Sequence, residues 1–360
     1  MSYIDYVRVM RLQRLNWNQR NYEALNDFLA GVKPGELAVF DWDNTCICGD
    51  IGDALFRYQA LNLEFKFTPE QLQVIIPDQV LGIDHINING QLWPLPKIKR
   101  QIVNAYEKIF GHDLIEIRDS AALRDFSVGL LALNRGLEET PGIGCEFAYL
   151  WTIHFLAGFS PAEVCRLAKE VIDRELQSAI EDHVMGDSLE TLSFHWTNGI
   201  RPFAEMVDLA RVLKKIDCRV VVSSASNPLL IETMMQRIGF SADQVIGMAS
   251  AIENNILQGT LTPGLAFNYG PGKVENMKKL LGRDPDFAAG DSNGDYEMVT
   301  AFPGTRLKLL VRRKQPGKMA GLYDQALAGD PRYLLQDVDP ASGRFSAAAS
   351  PAAVRVDSKK

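Results

Sequence analysis

Leu37–Phe40 reads Leu-Ala-Val-Phe and runs straight into Asp41 and Asp43. So short an apolar run fits a strand covered on both faces of a parallel sheet. It therefore delivers two carboxylates to the carboxyl edge of that sheet. In open α/β sheets this edge is where ligands sit, and strand alternation sends side chains at i and i+2 the same way. Two carboxylates in one small volume repel unless a cation lies between them, and a hard divalent ion such as Mg²⁺, which takes oxygen ligands, meets that need. Taken alone, the same acids would serve equally well as a turn or a helix cap. Residues far downstream decide between these readings.

The chain has 360 residues, 46% hydrophobic and 23% charged, which is enough for two domains with sizeable cores and leaves little room for disorder. A net charge of -7 supplies no basic footprint, so nucleic acid is not expected as a partner, and an anionic ligand must be met by local positive charge. Met1–Arg20 carries arginines and no continuous apolar core, and no later window reads as a membrane span, so the expectation is a cytoplasmic protein without a membrane partner. Five cysteines suggest no disulfide framework. Cys46 and Cys48 stand close to the acids, but no histidine lies near in sequence, and small buried side chains are the preferred reading over a soft-metal site.

Along the chain, Asn16–Leu29 reads as a helical arm through Trp17, Tyr22, Leu25 and Phe28, and Gly31, Pro34 and Gly35 break it before the first strand. Beyond Thr45 the pattern turns helical. Ile51–Leu61 is a helix, Thr68-Pro69-Glu70-Gln71 is a capping box, and Ser160–Ile180 combines a box of Ser160 and Glu163 with a stripe of Val164, Leu167, Ala168, Val171 and Ile172. From Ile200 an α/β alternation resumes: a helix over Pro202–Ile216, a strand over Cys218–Val222, a helix from Pro228 to Gly239, a helix over Lys273–Leu281, and strands at Phe287–Gly290 and Leu307–Val311. Roughly 180 residues part Thr45 from Ser224, against a median connection of about 5 in compact domains. The interval is therefore expected to be a domain of its own. The reading is a discontinuous core over 1–45 and 197–340, an inserted helical domain over 46–196, and a frayed tail over 341–360.

Three further groups come after the later strands. Ser223-Ser224-Ala225-Ser226 offers hydroxyl and backbone N–H groups suited to phosphate oxygens, although a Ser-rich cap has the same composition. Lys273, after Gly270-Pro271-Gly272, opens a helix at its positive end, where a cation is unfavourable unless something else requires it. Gly290-Asp291-Ser292-Asn293-Gly294-Asp295 puts two more carboxylates in a loop of small residues, a cation cradle or a polar turn.

Taken in order, Asp41-x-Asp43-x-Thr45, Ser224, Lys273 and Gly290-Asp291-x-x-x-Asp295 resemble the four motifs of the haloacid dehalogenase superfamily of phosphatases. Ser224-Ala225-Ser226 is similar to the form used in its phosphoserine-phosphatase branch, with Ser223 as the alternative one residue away. The resemblance covers Leu37–Asp50 and about Ile200–Val311; the rest is covered only in location. It implies an α/β fold: a Rossmann-like core with a central parallel sheet and a large, mostly helical cap inserted after the first motif (the C1 position).

It also implies Mg²⁺-dependent hydrolysis of a small phosphate monoester through an aspartyl-phosphate. Asp41 would be the nucleophile, Asp43 the general acid and then base, and Thr45 would help hold the loop and substrate. Ser224 and Lys273 would meet phosphoryl charge. Mg²⁺ would be held by Asp41, the Asp43 carbonyl and Asp291, with Asp295 bracing them. Dehalogenase members lack the second acid, so Asp43 argues against carbon–halogen cleavage. No lysine just after Thr45 offers a Schiff base for phosphonate cleavage. A catalytically silent phosphoryl-binding protein is the reading of a different class.

Asp50 and Asp53 stand where phosphoserine phosphatases carry an acid for the substrate's amine and phosphorylcholine phosphatases carry acids near choline. The same two residues would also cap the helix Ile51–Leu61. The expected substrate is an amine-bearing ester resembling phosphocholine or phosphoethanolamine. It is placed ahead of phosphoserine because no arginine motif in the cap offers to clamp a carboxylate. Trp93, Tyr106, Tyr149, Trp151 and Trp196 are the cap aromatics that would offer a ring face to a quaternary ammonium. Oligomeric state is not legible.

Overall fold

In the computed structural model the described residues are 11–189, 191–312 and 317–348. The chain forms two compact units, one of Met1–Asp50, Ile200–Met248 and Asn268–Lys360, the other of Ile51–Gly199 and Ala249–Phe267. The boundaries thus fall a few residues from those expected at 45/46 and 196/197, and residues 249–267, expected in the core, belong to the second unit. Residues 1–10 of the arginine-bearing opening stretch lie outside the described ones.

The first unit is built on a seven-stranded sheet. In spatial order it runs Arg344–Phe345, Tyr333–Asp339, Leu307–Arg312, Phe287–Gly290, Leu37–Phe40, Arg219–Ser223 and Gln244–Ile246. Every pairing is parallel except the one at the Arg344–Phe345 edge. Leu37–Phe40 is central and fully buried, which is why all four of its residues are apolar rather than alternating. Val39 lies between Val221 on one side and Ala288 on the other. The chain returns to the two flanks of this strand at different times, so a topological switch point lies at its carboxyl end.

Helices arise from local signals. Asn18 caps Gln19–Ala30 through the Asn21 N–H and buries Leu25, Phe28 and Leu29; Trp17, read as part of the helix, is buried just ahead of it. Asn227 caps Pro228–Ile238, which Gly239 ends in the left-handed region at φ 73°. The helix read from Pro202 begins at Ala204, because Arg201–Pro202 is a short strand antiparallel to Ile47–Cys48. That ribbon joins the point where the chain leaves the core to the point where it comes back.

The stretch read as a frayed tail is ordered at its beginning. Phe345 pairs with Val338, is buried, and stacks on Phe203 at 4.1 Å. Apolar area removed from water outweighs the ordering of a few residues, a balance that an Ala- and Ser-rich composition concealed. Residues 349–360 lie outside the described ones.

The second unit holds the helices Ile51–Asn62, Pro69–Ile75, Leu95–Ile109, Ala121–Glu139, Cys145–Thr152 and Pro161–Gln177 around an aromatic core that includes Phe56, Phe67, Tyr106, Phe126, Trp151 and Phe155. Both boxes form: Thr68 with Gln71, and Ser160 with Glu163. The helix read to Ile180 stops at Gln177, and Glu181–Gly186 starts a hairpin with Ser193–Asn198. His85–Ile88 with Gln91–Pro94 and Ser250–Glu253 with Ile256–Leu261 form two more hairpins, so the unit is less purely helical than expected. The last turns on Asn254 and Asn255, both at positive φ, as a two-residue hairpin loop requires. Its backbone bonds to Gly158 and Phe159 attach it to this unit. Among the described residues no helix is long and apolar enough to cross a membrane.

Candidate active site

The site assembles at the carboxyl ends of three neighbouring strands, where the switch point was located. Asp41 comes directly after the central strand and its N–H donates to the Ala289 carbonyl at 2.9 Å, carrying the ladder one residue past the sheet. Lys273 reaches it from the helix Pro271–Leu281. Its Nζ donates to Asp41 Oδ1 and Asp295 Oδ1, both at 2.6 Å, and to the Ser223 carbonyl at 2.7 Å. All three side chains are buried. The unfavourable placement of a lysine at a helix start is thus answered by two carboxylates.

The charges explain one another. Burial would push the Lys273 ammonium down, but Asp295 and Asp41 outweigh it and hold the group above its ordinary range. Burial and then Asp295 push the Asp41 carboxyl up, against the pull of Lys273 and the Thr45 hydroxyl. One ammonium shared between two carboxylates is not enough for both.

Asp291 joins them: ligand oxygens of Asp41, Asp291 and Asp295 lie within 4.8 Å of one another, all on buried residues. Three buried carboxylates and one ammonium leave an excess of negative charge in an all-oxygen donor set. That composition suits a hard divalent cation and not a soft one.

Asp295 itself is occupied on both oxygens. Oδ1 accepts from Lys273, and Oδ2 accepts from the Asp291 and Ser292 N–H groups at 3.1 Å and from the Ser292 hydroxyl at 3.2 Å. It braces the loop. Gly290 makes room for this: a methyl there would stand 2.5 Å from Asp295 Cβ. Asp291 is oriented by its own contacts, its carbonyl accepting from Tyr323 Oη at 3.1 Å and its Oδ1 from the Thr45 hydroxyl at 3.2 Å.

Asp43 is held apart from this cluster. Its Oδ2 accepts from the Ser226 hydroxyl at 2.6 Å and from the Ser224 hydroxyl at 3.4 Å. Between the two serine registers the geometry discriminates. Ser224 presents its hydroxyl to Asp43, whereas the Ser223 hydroxyl accepts from Asn268 Nδ2 at 3.2 Å and is buried.

Three residues here escaped the sequence reading. Ser226 was visible as the last residue of Ser-Ala-Ser. Asn268 carried no signal: its Nδ2 also donates to the carbonyls of Ser224 and Ile246 at 2.8 and 3.1 Å, and its Oδ1 accepts from Asn276 Nδ2 at 3.0 Å. Together Asn268 and Asn276 fix the serine turn against the neighbouring strand.

Cys46 is buried and its thiol donates to the Asp41 carbonyl at 3.2 Å; burial, then Asp41 and Asp43, hold it well above the usual thiol range. Burial and the two neighbouring acids thus favour the protonated thiol. Cys48 pairs with Arg201 in the short ribbon.

Asp50 stands one residue ahead of the helix Ile51–Asn62 and Asp53 lies in its first turn, in the second unit. Asp53 Oδ2 is 3.8 Å from Arg135 Nη2, and Arg135 also meets Glu138 at 3.2 Å. Tyr149 Oη donates to Glu138 at 3.4 Å. An arginine beside Asp53 was absent from the sequence reading because Arg135 is far along the chain. Of the five cap aromatics, Trp93, Tyr106 and Trp151 are core; Tyr106 Oη donates to the Phe67 carbonyl and Trp151 Nε1 to that of Ile75. Trp196 is half-buried between His183 and Phe194.

No protein-family model and no curated protein matches the chain. Among solved structures, a conserved protein of unknown function from Anaerococcus prevotii DSM 20548 is 26% identical over 94% of this chain and 97% of that one, with a TM-score of 0.85. A protein of unknown function from Bordetella pertussis Tohama I comes next at 14% identity over 86% and 100%, TM-score 0.47. A substrate-bound phosphoserine phosphatase is 12% identical over 78% and 87%, TM-score 0.36. The last two likenesses are too low to add to the assignment. The strand order, and the meeting of the four motifs where three strands end, agree with the Rossmann-like haloacid dehalogenase fold that those motifs resemble.

Proposed function

We propose that the protein is a Mg²⁺-dependent phosphomonoester hydrolase working through an aspartyl-phosphate on Asp41. The observation that carries this reading is the Lys273 bridge between Asp41 and Asp295 beside Asp291, with Asp43 held separately by Ser226. Asp41 attacks phosphorus in line with the leaving oxygen. Asp43 protonates that oxygen, and its conjugate base then takes a proton from the water that hydrolyses the intermediate. Its serine contacts aim the carboxyl group. Lys273 and the Ser224 hydroxyl face charge on the phosphoryl oxygens, and such fixed donors supply most of the rate in phosphoryl transfer.

Asp41, the Asp43 carbonyl and Asp291 would hold the cation, and Asp295 positions Lys273 and the Asp291 loop. When bound, Mg²⁺ supplies positive charge opposite the transferring group. A screen of small phosphate esters with Mg²⁺, read as free phosphate, tests the assignment. EDTA abolishes the release and Mg²⁺ restores it; restoration by Zn²⁺ with Mg²⁺ inert sinks the all-oxygen cation site.

For the substrate, an amine-bearing small ester remains the reading, with Asp53 opposite the amine. The Arg135 guanidinium beside Asp53 now favours a headgroup that also carries a carboxylate, as phosphoserine does, over choline or ethanolamine, because Arg pairs bidentately with carboxylates. Phosphoserine should be cleaved faster than phosphoethanolamine, phosphocholine and glycerol phosphate, and Arg135→Ala should erase the preference over the first two while Asp53→Ala should shrink the preference over glycerol phosphate. Equal rates on phosphoserine and glycerol phosphate in the wild type would dispose of both residues as headgroup contacts.

A further inference from the structure

The second unit contains a cavity of about 390 Å³ that has no part in the chemistry above. Arg118, Arg124 and Arg174 line it, with Asp119, Ser120 and Asn62 among the other walls. None of the carboxylate-cluster residues does. Arg118 closes the helix Leu114–Ile117, Arg124 sits in the first turn of Ala121–Glu139, and Arg174 comes from the last turn of Pro161–Gln177. Two consecutive helices and a third about fifty residues further on thus bring guanidinium groups to one concavity.

These arginines are exposed and, like Arg20 and Arg100 elsewhere on the surface, have no carboxylate partner among the described residues. Arg57, Arg135, Arg166, Arg211, Arg306 and Arg332 each have a carboxylate oxygen within 4.0 Å. Among the described residues none does for Arg118, Arg124 or Arg174. In a chain with 45 acidic residues against 38 basic ones, three unpaired guanidiniums on one cavity run against the overall balance. Asp119 is the one carboxylate in the lining, so the wall carries three positive charges and one negative.

The 19-residue helix Ala121–Glu139 adds to this, since Ser120, which caps it by accepting from the Leu123 N–H, lines the same cavity and brings the positive end of the helix dipole there. The volume falls in the range of small-ligand pockets, roughly 300–1,000 Å³.

We propose that this cavity is an anion-binding site for a small ligand with two or more clustered anionic groups, phosphate or carboxylate. Each guanidinium offers planar paired donors to such groups. A single monoanion would leave most of that capacity unused. The site is independent of the proposed catalytic reading, because none of its residues takes part in it.

Titration calorimetry on the full chain in EDTA, with pyrophosphate and citrate as separate probes, tests it. Saturable binding of at least one probe is expected, weakened at least about tenfold, or 1.4 kcal/mol, in Arg118→Ala/Arg124→Ala. Hydrolysis of p-nitrophenyl phosphate by that variant stays at the wild-type rate. Asp119→Asn, which removes the opposing charge and nothing buried, should tighten binding and keeps the test alive if the double variant melts early. Pyrophosphate binding alone identifies a phosphate site; citrate binding alone identifies a carboxylate site. Absence of saturable binding of both probes, or affinity unmoved by all of these substitutions, overturns the proposal.

Discussion

Asp41→Asn is expected to abolish hydrolysis of every ester the wild type cleaves, by about four orders of magnitude or more in kcat/KM, since an amide does not attack phosphorus. The fold should survive the change. The Asn carbonyl oxygen can still accept from Lys273, and the substitution removes a carboxylate that burial and Asp295 disfavour. Because the Asp41 carboxyl titrates above its ordinary 3.8 in the folded chain, the unfolded chain releases this proton first. Metal-free wild type therefore loses stability as pH rises from 3.8 through the raised value, and Asp41→Asn should lack that decline. Phosphate release measures the first effect and thermal melts across pH the second. Activity within about a hundredfold of wild type would place the nucleophile elsewhere.

The second large effect belongs to Lys273→Ala. Its ammonium separates two buried carboxylates, and breaking a buried ion pair from one side typically costs about 3–5 kcal/mol because the remaining charge stays desolvated. Metal-free protein should show that loss in urea titrations, with Mg²⁺ recovering part of it. Adding Asp295→Asn to Lys273→Met, which withdraws one of the two stranded charges, should be less damaging than Lys273→Met alone. Turnover should fall about 10²–10³-fold or more, as for loss of a fixed donor to the transition state. A stability change below about 1 kcal/mol, the size of a surface pair, would show that Lys273 does not hold the two acids together.

Both substitutions concern residues that could be read from the linear chain. Asp41, Lys273, Asp291 and Asp295 each come after a short apolar strand or open a helix, and a strand end narrows what a charged residue can be doing. Local signals sufficed for most helices as well: Asn227 and Gly239 bracket one, and Ser160 with Glu163 opens another. Such caps act over a few residues, so the chain itself states them.

By itself, then, the sequence determined the buried central strand, the order of the four motifs, and the existence of a long inserted segment with its own core. Tertiary structure alone decided which groups complete those motifs. Ser226 on Asp43, Asn268 on the serine turn and Arg135 beside Asp53 join residues far apart in the chain, and no local propensity encodes such a meeting. The same holds for the hairpin Ser250–Leu261, whose backbone bonds to Gly158 and Phe159 draw it out of the core, and for Phe345, which leaves an unpatterned tail for a place against Phe203. Hydrogen bonds and apolar burial between distant segments are settled only when the whole chain has packed, because their free energy depends on the water each partner gives up there.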